Sequence, residues 1–392
     1  MKAWFCVAAA LLQLVWGAVF CKAPTVQKKP EPPAAEEAAY PLDAYVQEAY
    51  LKPIWEGGVV YHESVMPMEW PDRPMEDIPL LYAASEIISV RSSDLQREYT
   101  QGVDYALVDG KLRILDGAIH RTPARTLYPL EEFAPPPGSL LFPGKGDVPW
   151  LWIEGGVLFH GWQISVTYKH TDAYPGTIPA RQGCRLPGAM AKLAAGEPLR
   201  LLIYGDSIAV GAQSSGWCGA PPYAPAWYDL FAAGLQARYG SEITVINTAV
   251  GATASGWGAD NAKALAADHR PDLAVIAFGM NDGSTGVRTA DYIWNTLRIM
   301  AQVRAQNPRC EFILIATSLP NPVSSFATGC HEAYRPWLLR LGQRGVAVAD
   351  MTALHRDLLA AKRFEDFNSN NINHPNDFFA RVYAQMLLET VQ

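Results

Sequence analysis

The stretch LRLLIYGDS, residues 199–207, decides the fold. Only Arg200 interrupts the apolar run from Leu199 to Tyr204, and no alternation of polar and apolar positions is present. Such a run is too short for a core helix, and it reads as a strand buried on both faces, which is the habit of parallel sheets flanked by helices. It ends in Gly-Asp-Ser, a turn sequence with a hydroxyl side chain at its tip.

Working outward, four further runs repeat the pattern: EITVINTAVG (242–251), PDLAVIAFGMND (271–282), CEFILIATSLP (310–320) and GVAVADMTA (345–353). Between them lie helical patterns, PAWYDLFAAGLQARYG, GADNAKALAADHR, ADYIWNTLRIMAQVRAQNP and HEAYRPWLLRLGQRG, and NDFFARVYAQMLLETVQ closes the chain. Strands alternating with helices predict an α/β domain over 181–392, built on a five-stranded parallel sheet covered on both faces.

The preceding segment, 42–180, has a different texture. SEIISV (85–90) reads as a strand, and VDYALVDGKLRIL (103–115) places two apolar stretches around Asp109-Gly110, a type I′ hairpin signal. In WQISVTYKH, Ile164, Val166 and Tyr168 alternate with polar residues as in a half-buried strand. A β-sandwich-like accessory domain is the expected product. Residues 24–41 form a Pro/Glu/Ala-rich linker, and 1–23, apolar after Lys2, read as a cleavable export signal or an uncleaved anchor. Export implies a secreted, periplasmic or cell-surface protein. Contact with a membrane is expected only if that segment stays uncleaved or is lipidated at Cys21, whose flanking residues suit lipidation poorly.

The 392 residues carry a formal net charge of −7 and no Lys/Arg-rich run, which argues against a nucleic-acid partner. Beyond the leader stand Cys184, Cys218, Cys310 and Cys330, an even number compatible with two disulfides in an oxidising compartment. None has CxxC spacing. HExxH, Walker and GxGxxG motifs are absent, and GDSIA lacks the second glycine of GxSxG. No cofactor or metal is indicated by these motifs.

Ligands bind beyond the carboxyl ends of parallel strands. There stand Gly205-Asp206-Ser207, Gly251 and Gly279-Met280-Asn281-Asp282, and His374 precedes the last helix in NNINHPND (370–377). Each alone has an ordinary structural explanation: a helix cap, a turn glycine, a turn asparagine, a solvated loop histidine. Together they supply a nucleophile, a base and oxyanion donors. In this order the four blocks resemble the SGNH/GDSL hydrolase superfamily of serine esterases, over about residues 196–392. That resemblance implies a three-layer, flavodoxin-like domain. It implies Ser207 as nucleophile, His374 as general base, and an oxyanion hole of the Ser207 and Gly251 N–H groups and the Asn281 side chain.

One departure stands out. The family's aspartate, three residues before the histidine, is Asn371 here. An amide oxygen can fix the imidazole tautomer but supplies no negative charge. Three arrangements are open: orientation by Asn371 or a backbone carbonyl in a Ser–His dyad, a carboxylate from Asp350 or Asp377, or an impaired site. The first is favoured, and relatives in carbohydrate esterase family 2 combine a dyad with an N-terminal β domain. His160, Trp162, Tyr168 and His170 in the front segment, and Trp217 after the nucleophile, are candidates to touch substrate, His170 and Trp217 above all. For each, packing in a core is the competing explanation. The resulting expectation is an acetylesterase acting on an acylated carbohydrate or small ester. The alternatives are a lipase or thioesterase on lipid-like esters, and a carbohydrate-binding protein with an impaired site.

Overall fold

The computed structural model describes residues 51–392. The export segment and linker expected from the sequence lie outside the described residues. Five strands, β1 (Leu199–Gly205), β2 (Ile243–Asn247), β3 (Leu273–Ala277), β4 (Glu311–Ala316) and β5 (Val346–Asp350), form one parallel sheet in the order β2-β1-β3-β4-β5. The order reverses at β1, so the crevice beyond β1 and β3 is the switch point where such sheets bind ligands. Register serves that placement: Ile203 of β1 lies opposite Asn247 of β2, and Gly205 opposite Ala277 of β3. A Cβ on Gly205 would lie 2.3 Å from the Ala277 carbonyl oxygen, so only glycine lets the two chain ends run this close.

Successive residues of each strand feed opposite faces. Leu201, Ile203, Val275, Ile313 and Ala347 face one layer, which holds the helices Trp227–Tyr239 and Asp377–Thr390. Leu202, Tyr204, Ala274, Ile276, Phe312 and Leu314 face the other, with helices Ser255–Leu265, Thr289–Gln306 and Cys330–Leu341. Burial on both faces explains the continuous apolar runs. The exception is β2, an edge strand whose Thr244 is exposed and whose Val245 is half-buried.

The front segment is β-rich as expected. Strands Val59–Val65 and Glu86–Ser92 flank Ile164–Lys169 in an antiparallel sheet, and three two-stranded ladders surround it. The Asp109-Gly110 turn, with positive φ at both residues, closes the ladder of Tyr105–Val108 with Lys111–Ile114. Ile164–Tyr168 is buried at every position, polar residues included, because it is the central strand. His62, at a bulge in the neighbouring strand, bonds the Ser165 and Thr167 hydroxyls at 2.8 and 3.0 Å through its ring and its N–H.

Val65, Val90, Leu112 and Val166 of the front segment belong to the same apolar cluster as Leu201 and Val275 of the parallel sheet. The last helix, Asp377–Thr390, packs between helix Trp227–Tyr239 and strand Val59–Val65, and its polar flanks are buried along with its apolar face. A buried charge cluster crosses the same boundary. Lys362 Nζ lies 2.6 Å from Glu63 Oε1 and 3.4 Å from Asp366 Oδ2, with all three side chains essentially excluded from water.

Candidate active site

Ser207 is the first residue of a short helix, Ser207–Val210, capped by Asp206. A first-turn N–H has no acceptor within its own helix, so the Ser207 amide is a ready donor to an anion. The Asp206 carboxylate accepts the Ile208 N–H at 3.0 Å and is also bonded by the Met280 N–H, which ties the GDS turn to the GMND turn. Burial pushes the Asp206 carboxyl up to about 7 despite these donors. Asp282 accepts the Ser255 N–H at 2.9 Å and the Ser255 hydroxyl, which ties GMND to the loop after Gly251. The aspartates of the two motifs therefore bind turns together.

Asn281 Nδ2 donates to the Thr253 carbonyl at 2.9 Å. Because a carbonyl only accepts, this bond fixes which end of the amide is NH₂ and leaves its second hydrogen for an oxyanion. Gly251 is exposed, and a Cβ there would lie 3.8 Å from Ser207 Cβ, which places it beside that serine. The positive φ in this turn belongs to Ala252, not to Gly251.

His374 Nε2 stands 2.8 Å from Ser207 Oγ. Burial pulls the imidazole down to about 4, so it is neutral near pH 7 with a lone pair to accept the serine proton. Its other nitrogen, Nδ1, is bonded to Gln213 Oε1. The sequence reading missed Gln213, and no spacing rule points to it.

Asn371 is not the orienting residue. Its Nδ2 donates to the Leu127 and Trp152 carbonyls, both at 3.2 Å, and its Oδ1 accepts from Tyr128 and Asn321. At φ +66° it holds a left-handed turn that asparagine tolerates, and its side chain runs to the front segment instead of the imidazole. Asp350 and Asp377 are engaged elsewhere too. Asp350 pairs with Arg335 and caps helix Met351–Ala361, and Asp377 Oδ1 accepts the Ser215 N–H.

The stretch NNINHPN is buried, not solvated. Its asparagines replace water as hydrogen-bond partners of the backbone. Asn370 Oδ1 accepts the N–H groups of Ile372, Asn373 and His374, and Asn376 caps the last helix while donating to Ser64, Gln163 and the Asp366 carbonyl. The histidine loop is thus held from both halves of the molecule.

Part of the chain is similar to known proteins. Residues 203–381 match the model of the GDSL-like lipase/acylhydrolase family. Those residues form a GDSL-like domain. An arylesterase from Vibrio mimicus is 33% identical over 87 residues, covering 22% of this chain and 40% of that protein, so the chain spans about two fifths of that relative. Among solved structures, a two-domain esterase active on acetylated mannans aligns over 53% of this chain and 52% of its own at 19% identity and TM-score 0.41. A carbohydrate esterase of family 3 from Talaromyces cellulolyticus aligns over 48% and 93% at 15% identity and TM-score 0.38.

Outside the cluster of Ser207 and His374, Trp217 is 38% exposed on the short helix Ser215–Cys218 that follows Gln213. Trp257, which the sequence reading passed over, is 36% exposed on the helix after the Gly251 turn. His170 is not brought to the site. It is 6% exposed and stacks on Tyr82 with ring centroids 3.7 Å apart. Tyr168 is buried on Glu63, His160 contacts the Pro221 carbonyl, and Trp162 packs with Trp152 and Phe159. Cys184, Cys218, Cys310 and Cys330 are free thiols, so the two disulfides compatible with the sequence are not formed. Cys310 is buried next to β4 and Cys184 is exposed.

Proposed function

We propose that this protein is an exported serine esterase that removes acetyl groups from a carbohydrate. The observation that carries the ester chemistry is the 2.8 Å contact between Ser207 Oγ and a buried, neutral His374. His374 Nε2 takes the hydroxyl proton as Ser207 Oγ attacks the ester carbonyl carbon. Negative charge moves to the carbonyl oxygen, where the Ser207 and Gly251 N–H groups and the Asn281 amide receive it. Collapse expels the alcohol, which takes the proton back from His374 and leaves an acetyl-serine. Water, deprotonated by the same imidazole, attacks the acetyl carbonyl carbon, and collapse breaks its bond to Ser207 Oγ, which takes the proton back from His374 as acetate departs.

The carbohydrate part of the proposal rests on Trp217 and Trp257, exposed indoles on two segments that leave the site and able to stack on sugar rings. Export rests on the apolar leader of the sequence. The test compares wild type with Ser207→Ala on acetyl and longer-chain nitrophenyl esters and on an acetylated polysaccharide. Wild type is expected to release acetate from the polysaccharide and Ser207→Ala to release none. Equal rates for the two proteins would sink the esterase reading, and preference for long chains would replace acetyl with lipid-like acyl groups. Asn281→Ala is expected to lower kcat by roughly 10²–10³, the usual loss for one oxyanion donor.

A further inference from the structure

The imidazole of His374 needs a partner on Nδ1, and that partner is a neutral amide from the nucleophile's own loop. Gln213 is buried and sits at φ +65°, a left-handed conformation that a glutamine rarely adopts. Strain of this kind persists where the surrounding structure enforces it and clusters at functional positions. Its Nε2 donates to the Glu154 carbonyl at 2.8 Å. Glu154 ends the hairpin of Ser139–Pro143 with Trp150–Glu154, which belongs to the front segment.

That second bond decides the first. A backbone carbonyl cannot donate, so the NH₂ end of the Gln213 amide must face Glu154 and the oxygen must face His374. An oxygen on that side only accepts, so Nδ1 must carry the hydrogen. The lone pair is then on Nε2, toward Ser207 Oγ. The amide flip that would select the wrong tautomer is blocked, because it would set the carbonyl oxygen of Gln213 against that of Glu154.

We propose that Gln213 is the positioning residue of this site, with its amide locked by the Glu154 carbonyl so that the front hairpin sets the tautomer of His374. The inference rests on the reading of Ser207 and His374 as nucleophile and base. Through the same hairpin, the Trp152 carbonyl holds Asn371 and with it the loop that carries His374. One strand of the front segment thus supports the imidazole at its nitrogen and at its backbone.

Two variants test the assignment in the full chain, with folding checked by circular dichroism. Gln213→Met keeps the length of the side chain and removes the acceptor. Its kcat is expected to fall roughly 10²-fold or more with KM little changed, as for other losses of acid–base positioning. Gln213→Glu keeps an acceptor and adds charge next to the imidazole. It is expected to retain more activity than Gln213→Met and to move the acid limb of kcat/KM upward by about one pH unit or more, because a neighbouring carboxylate favours the imidazolium. Folded variants with wild-type kcat and an unmoved acid limb would overturn the proposal. A separate readout needs no catalysis: ¹⁵N spectra of the histidine rings are expected to show His374 protonated at Nδ1 in wild type and as a tautomer mixture in Gln213→Met. If wild type showed no Ser207-dependent hydrolysis, the functional reading would fall, while unchanged His374 spectra in Gln213→Met would refute the positioning role by itself.

Discussion

Removing the Lys362 ammonium will show how strongly the two halves of the molecule depend on each other. Lys362 Nζ stands 2.6 Å from Glu63 and 3.4 Å from Asp366, with no side-chain exposure on the lysine or the glutamate. Burial alone would depress the lysine, but the two carboxylates outweigh it and raise its pKa, so the charge stays on. At 2.6 Å and an effective dielectric of 20, one such attraction is about 6 kcal/mol before desolvation is subtracted. Desolvation takes several kcal/mol per ion, so the intact cluster adds little net stability. Loss of one member is a different matter, because Glu63 would be left charged and buried with only the Leu81 N–H and the Tyr168 hydroxyl. Lys362→Met is therefore expected to destabilise by about 3–5 kcal/mol. Urea unfolding followed by tryptophan fluorescence and far-ultraviolet circular dichroism measures this. Both probes should move to lower urea together, since Glu63 lies in the front segment and Lys362 beside the histidine loop. In a double-mutant cycle, Glu63→Gln should recover part of the loss. A shift below about 1 kcal/mol, or a Glu63→Gln/Lys362→Met pair that is simply additive, would refute the reasoning.

Other outcomes follow from the site. The base acts only when neutral, and burial holds His374 at about 4, so the limb of kcat/KM that reports the imidazole should fall as pH drops through about 4. An acid limb centred near 6.5 would contradict that burial. Asn371→Asp restores the family's residue type but should not raise kcat, because the side chain faces the Leu127 and Trp152 carbonyls. A carboxylate there loses two donors and meets two oxygens, and urea titration should show a loss of about 2–4 kcal/mol. Gly251→Ala adds a Cβ 3.8 Å from Ser207 Cβ, an ordinary contact. Its stability should change by less than about 0.5 kcal/mol, with KM rising more for bulky esters than for acetyl esters.

The parallel sheet was legible because burial on two faces leaves a simple trace. β1, β3, β4 and β5 are buried at nearly every position, and their sequences are almost unbroken apolar runs. β2 was found by the same pattern, although it lies at the sheet edge with half-exposed side chains. In the front segment the alternation of Ile164–Tyr168 misled. Ser165 and Thr167 are buried as well, since a bulged neighbour brings His62 to both hydroxyls. Polar residues in a central strand look solvent-facing until their partners are known. The histidine loop is polar in sequence yet buried. Each of its four asparagine amides satisfies backbone or side-chain groups that water would otherwise serve.

The orientation of His374 lay beyond sequence reading for a physical reason. Spacing rules work where donor and acceptor share one loop, as an aspartate three residues before a histidine does. Here the acceptor on Nδ1 comes from the loop after the nucleophile, and that acceptor is aimed by a carbonyl 59 residues further upstream. A backbone carbonyl has no identity in a sequence, because every residue carries one. Asn371 does not face the histidine, and its side chain has other partners. Its amide turned to the front segment, where the Leu127 and Trp152 carbonyls and the Tyr128 hydroxyl take it up. A carboxylate in that place would have no donors for its second oxygen. The asparagine and the front hairpin are therefore one solution, and a change that frees the hairpin should disturb the imidazole before it disturbs the sheet.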